Sequence, residues 1–268
     1  EDAWHIPHGA TPTTHILKPQ IGKRGGHDLS QSVENEYLCM QLLGALGLPV
    51  AKTAIEDFAS HRALVITRFD RRWTHDERLL RLPQEDCCQA LAVPPTLKYE
   101  ADGGPGMLDV FELLKGSDRP LEDQTTFLKA QMAFWLLGAT DGHAKNFSIA
   151  LHPSGGFGLT PLYDVMSAQP LFAAGQLQKK DLRLAMAVGD KRHYRLNEVM
   201  PRHFEQTAAR AGLPSEAARQ LLSELSEAVP AAIKMVCANL PADFPALVCD
   251  PIIDGLNQRL TRLSTTSA

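Results

Sequence analysis

The chain has 268 residues, 44% of them hydrophobic, which is enough for one large or two small domains with a substantial core. Its formal net charge of -4 gives no reason to expect nucleic-acid or membrane binding through overall charge. No apolar run is long enough to span a membrane and no signal-peptide pattern is present, so we expect a cytoplasmic protein without membrane contact. Five scattered cysteines without a C-x-x-C pair indicate free thiols in a reducing compartment.

Residues 1–70 are predicted to form a small β-rich unit with one helix. A strand pattern ends at Lys18, and an amphipathic helix follows from Ser30 to Gly47. Two more strands are predicted at 51–58 and 63–69. The second is nearly continuous in apolar residues and is therefore expected to be central. Lys18 could reach a phosphate, although an ordinary edge-strand lysine explains it more simply.

The charged segment at residues 70–73 marks the predicted boundary between this unit and a larger helical part, residues 71–268. Within the second part we expect a short strand at 79–82, a short helix at 84–92 and a glycine-rich surface loop at 98–106. Helices are predicted at 107–115 and 121–137. Four more begin at prolines and cover 200–212, 214–229, 230–239 and 245–264.

The polar segment that follows the helix at 121–137 is the strongest candidate for a functional site. Asp141 precedes Asn146 by five residues, and Asp164 ends a predicted short strand at 162–164, where it is expected to face Asn146 across a hairpin. One carboxylate can orient a hydroxyl nucleophile while the amide and the second carboxylate bind Mg²⁺. A polar turn between a helix and a strand explains the same residues equally well.

The order of these features along the chain is that of a protein-kinase-like enzyme. A strand lysine comes first, then a glutamate-bearing helix, further strands, and a helical lobe with D-x-x-x-x-N and a later aspartate. Nothing matches H-R-D or D-F-G, which excludes an ordinary eukaryotic-type kinase. Glu34 or Glu36 could pair with the lysine, or either could simply complement the helix dipole.

Seven motifs, distributed over almost the whole chain, closely resemble the HipA family, which comprises serine/threonine kinase toxins of bacterial toxin–antitoxin pairs. They are G-A-T-P-T-T-H-I-L-K (9–18), D-L-S-Q-S-V-E-N-E-Y (28–37), R-F-D-R-R-W (68–73), R-L-P-Q-E-D (81–86), D-G-G-P-G (102–106), G-A-T-D-G-H-A-K-N-F-S (138–148) and L-T-P-L-Y-D (159–164). The resemblance implies an α+β, protein-kinase-like fold of two lobes, with ATP and Mg²⁺ as cofactors.

The resemblance also implies roles for individual residues. Asp141 would be the catalytic base, Asn146 and Asp164 would bind Mg²⁺, and Lys145 would offer a cation to the phosphoryl group. Glu36 is chosen over Glu34 as the partner of Lys18. The full set of implied ATP-binding residues is Lys18, Thr67, Arg68, Phe69, His143, Ala144, Lys145, Asn146, Tyr163 and Asp164. Thr67 departs from the family pattern, in which we expect a glutamate; backbone contact with adenine would make this unimportant.

The implied partners are a small DNA-binding antitoxin, HipB, and operator DNA bound through it. Direct DNA contact from this chain would come from Arg202 and Arg210, because Ala209 and Gly212 stand where basic residues are expected. A solvated helix face explains these arginines at least as well. The implied protein substrate is glutamyl-tRNA synthetase, whose phosphorylation would arrest growth and produce persistence.

Two alternatives to an active kinase remain open at this point. One is a catalytically weak corepressor that acts only by binding HipB; the other is a metal-dependent phosphohydrolase using Asp141, His143 and Asp164, with His152 nearby. The chain begins at Glu1, so the resemblance also implies that an N-terminal subdomain and an ATP-covering loop precede it, with the regulatory autophosphorylated serine. We therefore expect residues 1–268 alone to turn over ATP poorly.

Overall fold

The computed structural model describes residues 4–153 and 155–264, which form a strand-rich first part followed by a mostly helical part. The strands are β1 (His15–Pro19), β2 (Gly22–Arg24), β3 (His27–Leu29), β4 (Thr53–Phe58), β5 (His61–Thr67), β6 (Arg71–Trp73), β7 (Leu79–Arg81), β8 (Gln84–Asp86), β9 (Ser148–Leu151), β10 (Phe157–Leu159), β11 (Arg183–Val188) and β12 (His193–Arg195). The helices are α1 (Ser32–Ala45), α2 (Cys87–Ala90), α3 (Met107–Leu114), α4 (Pro120–Leu137), α5 (Gln169–Ala173), α6 (Pro201–Ala211), α7 (Ser215–Ala238) and α8 (Ala246–Ser264). The predicted α+β class is confirmed.

The first sheet is antiparallel with the order β1-β5-β4. Strand β5 lies in the middle, as its apolar run predicts, and residues 63–66 are buried. Leu64 pairs with Lys18 of β1 on one side and with Ile55 of β4 on the other. The lysine is therefore carried by a strand whose register is fixed by the most buried strand of the sheet.

Helix α1 packs between this sheet and the helical part of the chain. Its first turn is tied to the segment after β1, because the Gln20 side chain accepts a hydrogen bond from the Val33 amide at 2.9 Å. On the other side, Asn35 donates from Nδ2 to the Ser167 carbonyl and accepts from the Ser167 amide, each at 2.8 Å. This paired, buried contact fixes α1 relative to the chain just after Asp164.

The core of the helical part is centred on α4, where Phe127, Phe134 and Trp135 are almost fully buried. The helix ends at Leu137 and is capped by Gly138, whose φ of +68° is the left-handed conformation that glycine adopts most easily. Its last carbonyls are satisfied from outside: Arg259 of α8 donates to Leu136 O and the Ser167 hydroxyl to Leu137 O. The segment that follows α4 thus begins from a rigid point.

Three predicted boundaries are wrong. Pro230 does not start a helix but lies inside α7, because the buried stripe from Leu225 through Val229 to Ala232 continues past it while the proline faces solvent. Residues 84–92 are not one helix, since 84–86 form β8 against β9 and only 87–90 are α-helical. Residues 162–164 form no strand beyond a single bridge between Leu162 and Val50.

None of the helices described by the structure is both long enough and apolar enough to cross a membrane.

Candidate functional site

The segment between α4 and β9 places two polar side chains in different environments. The backbone N–H of His143 donates to the backbone carbonyl of Asp141 at 2.8 Å. The backbone N–H of Asn146 donates to the backbone carbonyl of His143 at 2.9 Å, so residues 144–146 form a 3₁₀ turn. The turn leaves Asp141 57% exposed but buries Asn146 almost completely. Asp141 can therefore meet a solvent-borne group, whereas the Asn146 side chain faces into the protein.

Asn146 and Asp164 lie in direct contact. Asn146 donates from Nδ2 to Asp164 Oδ2 at 3.1 Å and to the Asp164 carbonyl at 3.2 Å. The contact is not across the predicted hairpin, because β9 and β10 form that hairpin and Asp164 follows it in a loop. There its φ is +60°, a left-handed conformation that is uncommon for residues other than glycine and marks a position held by its surroundings.

This contact leaves the amide oxygen of Asn146, Oδ1, buried without a hydrogen-bond partner. Such an orphaned acceptor costs stability unless something binds it. The nitrogen of the same Asn146 side chain binds the Asp164 carboxylate. The unpaired amide oxygen of Asn146 and the carboxylate of Asp164 therefore lie close to each other. Oxygen donors of these two kinds are what Mg²⁺ prefers, and the pair therefore fits the metal ligands expected from the sequence.

Lys18 joins this pair to α1. Its ammonium lies 2.8 Å from Glu36 Oε1, 3.1 Å from Glu36 Oε2 and 2.6 Å from Asp164 Oδ1. Glu34, the other carboxylate considered, instead accepts hydrogen bonds from Gln20 and Arg62. Burial by itself lowers the pKa of Lys18, but the two carboxylates outweigh it and raise that pKa above its ordinary value. Burial raises the pKa of Glu36, and Lys18 opposes this only in part.

Lys145 and Tyr163 lie on the other side of Asn146. Lys145 reaches Asp86 Oδ2 at 2.5 Å, so its cation is already paired. The Tyr163 hydroxyl contacts Ser148 Oγ at 2.5 Å and donates to Lys145 O at 2.9 Å. Tyr163 therefore directs its polar end into the protein, and only its ring is available to line a ligand; that ring lies 5.9 Å from the ring of Phe69.

Residues 67–69, the expected adenine-binding connector, follow β5 directly. The Thr67 amide donates to Lys52 O at 2.9 Å and the Arg68 amide to Thr14 O at 3.0 Å. The Arg68 guanidinium binds Asp70 at 2.8 and 2.7 Å. The backbone amides of Thr67 and Arg68 are already hydrogen-bonded within the protein. Of the three residues, Phe69 is therefore the one whose backbone amide is best placed to bind adenine.

The glycine-rich segment at 98–106 is not the simple surface loop that its composition predicts. Tyr99 donates from its hydroxyl to Asp141 Oδ1 at 2.5 Å, and its ring lies edge-on to His143 with centroids 5.0 Å apart. His143 is buried, and burial lowers its pKa, while Asp141 opposes the shift and Lys98 reinforces it. Sequence reasoning missed both Tyr99 and Asp86, because neither stands at a spacing that relates it to Asp141 or Lys145.

Four more residues considered from the sequence are Ala144, Arg202, Arg210 and His152. Ala144 is buried within the 3₁₀ turn. Arg202 and Arg210 are exposed on α6, where Arg210 donates to the Gly189 carbonyl at 3.3 Å. His152, considered as a metal ligand, instead lies 2.6 Å from Asp118 Oδ2. Within residues 4–153 and 155–264, no group of three or more His, Cys, Asp or Glu side chains could hold a metal ion.

Comparison with solved structures defines the class of fold. HipA of Shewanella oneidensis, in a complex with HipB and its operator DNA, superposes with a TM-score of 0.79 at 27% identity over 94% of this chain and 60% of that one. The proinflammatory kinase CtkA of Helicobacter pylori superposes with a TM-score of 0.64 at 15% identity over 95% of this chain and 92% of that one. The fold is that of a HipA-like kinase, as the sequence predicts.

A family model for the HipA-like C-terminal domain matches residues 2–233, and the chain belongs to this family. The putative kinase Y4mE of Sinorhizobium fredii is 35% identical over 86% of this chain and 52% of its own length. The serine/threonine-protein kinase toxin HipA of Shewanella oneidensis is 30% identical over 87% of this chain and 53% of its own length. The chain thus spans about half the length of the curated relatives it matches.

The pairing of Lys18 with a buried glutamate yields a stability prediction. Lys18→Met should lower the free energy of unfolding by about 2 kcal/mol, because it leaves the almost fully buried Glu36 carboxylate uncompensated. Adding Glu36→Gln should recover about half of this loss, since the unpaired charge is then gone. Urea unfolding measures Lys18→Met, Glu36→Gln and the double variant.

The matched control is Lys23→Met, which removes an exposed lysine that lies 4.0 Å from Asp28; it should change stability by less than about 0.5 kcal/mol. If Lys18→Met lowers the free energy of unfolding no more than the control does, the Lys18–Glu36 ion pair does not stabilise the site. A double variant whose cost equals the sum of the single costs would show the same.

Proposed function

We propose that this chain is the catalytic part of an ATP- and Mg²⁺-dependent serine/threonine protein kinase of the HipA type. The observation that carries the proposal is the convergence of Lys18, Glu36, Asn146 and Asp164 within hydrogen-bond distance, with the Asn146 amide oxygen buried and unpaired. These side chains come from β1, α1, the turn before β9 and the loop after β10. A buried acceptor without a partner beside a carboxylate is suited to binding a cation.

The arrangement supplies the groups that a nucleotide triphosphate needs. Asn146 Oδ1 and the Asp164 carboxylate would hold Mg²⁺, which when bound neutralises charge on the phosphate oxygens. Lys18 is kept protonated by its two carboxylates and can donate to the phosphates from a strand of fixed register. Phe69 would meet adenine through its backbone, and the Tyr163 ring next to it would line the base or ribose.

Asp141 is the proposed catalytic base. Its carboxylate is exposed and lies in the segment that begins at the fixed end of α4, so an acceptor serine can approach it from solvent. Asp141 would orient the serine hydroxyl towards the γ-phosphorus of ATP and accept its proton as the new oxygen–phosphorus bond forms, while the bond from the γ-phosphorus to the β,γ-bridging oxygen breaks and ADP leaves. Lys145 would offer positive charge to the transferring group, for which it must exchange its present contact with Asp86.

The alternative of a metal-dependent phosphohydrolase has less support. It would need a cluster of histidine and carboxylate ligands around His143, and the described residues contain none. A corepressor without activity remains compatible with the fold, but it gives no reason for the Lys18–Glu36–Asp164 contacts. The kinase is therefore the function that the geometry supports best.

We also propose a biological setting for this kinase. By analogy with the Shewanella oneidensis complex of HipA with HipB and operator DNA, we propose a HipB-like antitoxin and operator DNA as partners. The proposed substrate is a translation factor, glutamyl-tRNA synthetase, whose phosphorylation would stop growth and favour persistence. Arg202 and Arg210 would contact DNA phosphates from the exposed face of α6.

The kinase proposal predicts the effect of Asp141→Asn. Transfer of labelled phosphate from ATP to a serine of a candidate acceptor should fall about 100-fold or more, because the base is lost. ATP affinity should change less than about twofold, since Asp141 holds no part of the nucleotide site.

The matched control is Asp118→Asn, an exposed aspartate paired with His152, which should leave transfer unchanged. Unchanged transfer in Asp141→Asn would contradict the assignment of the base. Release of free phosphate without transfer to protein would favour the phosphohydrolase. If the unaltered chain does not bind ATP, the corepressor without activity would be the function that remains.

The DNA proposal predicts a change in salt dependence. In a complex with the antitoxin, Arg202→Ala and Arg210→Ala should each reduce the slope of log affinity against log salt concentration by about 1, with little change in sequence preference. Fluorescence anisotropy of labelled operator DNA measures this. Arg219→Ala, an exposed arginine of α7 paired with Glu216, is the control; equal slopes for all three variants would reject the α6 contact.

A further inference from the structure

The hydroxyl of Tyr99 lies against the proposed catalytic base. It donates to Asp141 Oδ1 at 2.5 Å, whereas the other nearby donor, His143 Nε2, lies 3.9 Å away. Asp141 is more than half exposed, and a carboxylate in that position rotates freely unless something holds it. Tyr99 is the side chain that hydrogen-bonds to it in the described parts of the chain, so the orientation of the Asp141 carboxylate depends on this contact.

The segment that carries Tyr99 is fixed in place. The Tyr99 carbonyl accepts hydrogen bonds from the amides of Asp102 and Gly104 at 3.1 and 2.9 Å. A side chain on Gly104 would collide with the Leu97 carbonyl, so the backbone fits closely here. The next residue, Glu100, is largely buried and binds the Ala187 amide at 2.5 Å and Arg192 at 3.1 Å. Tyr99 is thus presented by a rigid loop anchored to β11.

The ring and the hydroxyl of Tyr99 are also constrained. The ring packs edge-on against buried His143, and the Lys98 ammonium lies 5.0 Å from its centroid. Burial, together with the Asp141 carboxylate, raises the pKa of Tyr99 above its ordinary value. The hydroxyl therefore keeps its proton throughout the neutral range and acts as a donor to Asp141, never as a competing base.

We propose that Tyr99 is a positioning residue for phosphoryl transfer: its hydroxyl holds Asp141 Oδ1, so that Oδ2 is turned towards the acceptor hydroxyl. This inference rests on the proposed kinase function, in which Asp141 is the base. Holding one carboxylate oxygen restricts the rotation of the other, and such restriction places the base correctly before the acceptor arrives. Tyr99 itself touches neither ATP nor the acceptor in this scheme.

The same contact could be interpreted differently, with the Tyr99 hydroxyl occupying the place of the acceptor hydroxyl and blocking the site. In that case the acceptor would have to displace the tyrosine. The observations favour the positioning role, because the backbone hydrogen bonds, the Glu100 anchor and the packing on His143 all oppose displacement. The two roles predict opposite effects of removing the hydroxyl.

The test is Tyr99→Phe, which removes the hydroxyl and keeps the ring against His143. For phosphate transfer to a serine acceptor, kcat should fall about 10-fold to 100-fold. The KM values for ATP and for the acceptor should stay within about twofold, because neither binding surface changes. The melting temperature should stay close to that of the unaltered protein. Tyr37→Phe, a tyrosine of α1 that packs near Phe244, is the matched control and should leave kcat unchanged.

The outcomes separate this inference from the proposed function. If Asp141→Asn abolishes transfer while Tyr99→Phe leaves kcat unchanged, the base assignment stands and the positioning role is rejected. A rise in kcat/KM for the acceptor in Tyr99→Phe would also reject it and establish the blocking role. A fall in activity accompanied by weaker ATP binding or a lower melting temperature would show a structural role instead. If Asp141→Asn has no effect, the kinase proposal itself fails.

Discussion

The position of the Lys18 ammonium between two carboxylates is the contact on which the rest of the site depends. Glu36 comes from α1 and Asp164 from the loop after β10, so one cation connects the sheet, the helix and the helical part of the chain. A second connection, the paired hydrogen bonds between Asn35 and Ser167, fixes the same elements one residue from Glu36 and three from Asp164. Together they determine where the left-handed Asp164 must lie.

Carboxylates outnumber the free cationic groups around Lys18, Asn146 and Asp141. Lys18 and Lys145 are each already held by an acidic partner, and the exposed Asp141 accepts a hydrogen bond from the neutral hydroxyl of Tyr99. The Asn146 amide oxygen adds an unpaired acceptor beside Asp164. Because its lysines are paired and its carboxylates are in excess, the site attracts a divalent cation more readily than a phosphate group without a metal. This agrees with binding of a nucleotide together with its metal ion.

Sequence reasoning succeeded where a local pattern had a physical cause. The apolar run of β5 predicted its central place, and the choice of Glu36 over Glu34 matches the observed contact with Lys18, although its role with ATP stays a prediction. It failed where tertiary packing decides. Helix α7 continues through Pro230 because burial of its apolar stripe outweighs the loss of one backbone hydrogen bond. Tyr99 contacts Asp141 although the two are 42 residues apart in the sequence, a separation that no motif spacing connects.

The most direct test of the account is a crystal structure of the protein with a non-hydrolysable ATP analogue and Mn²⁺, whose anomalous signal locates the metal. We expect Mn²⁺ on Asn146 Oδ1 and the Asp164 carboxylate, with the phosphates at the Lys18 ammonium and the base beside Phe69. A nucleotide bound elsewhere, or a metal that does not contact Asn146 Oδ1, would contradict the central claim that these side chains form one phosphoryl-transfer site.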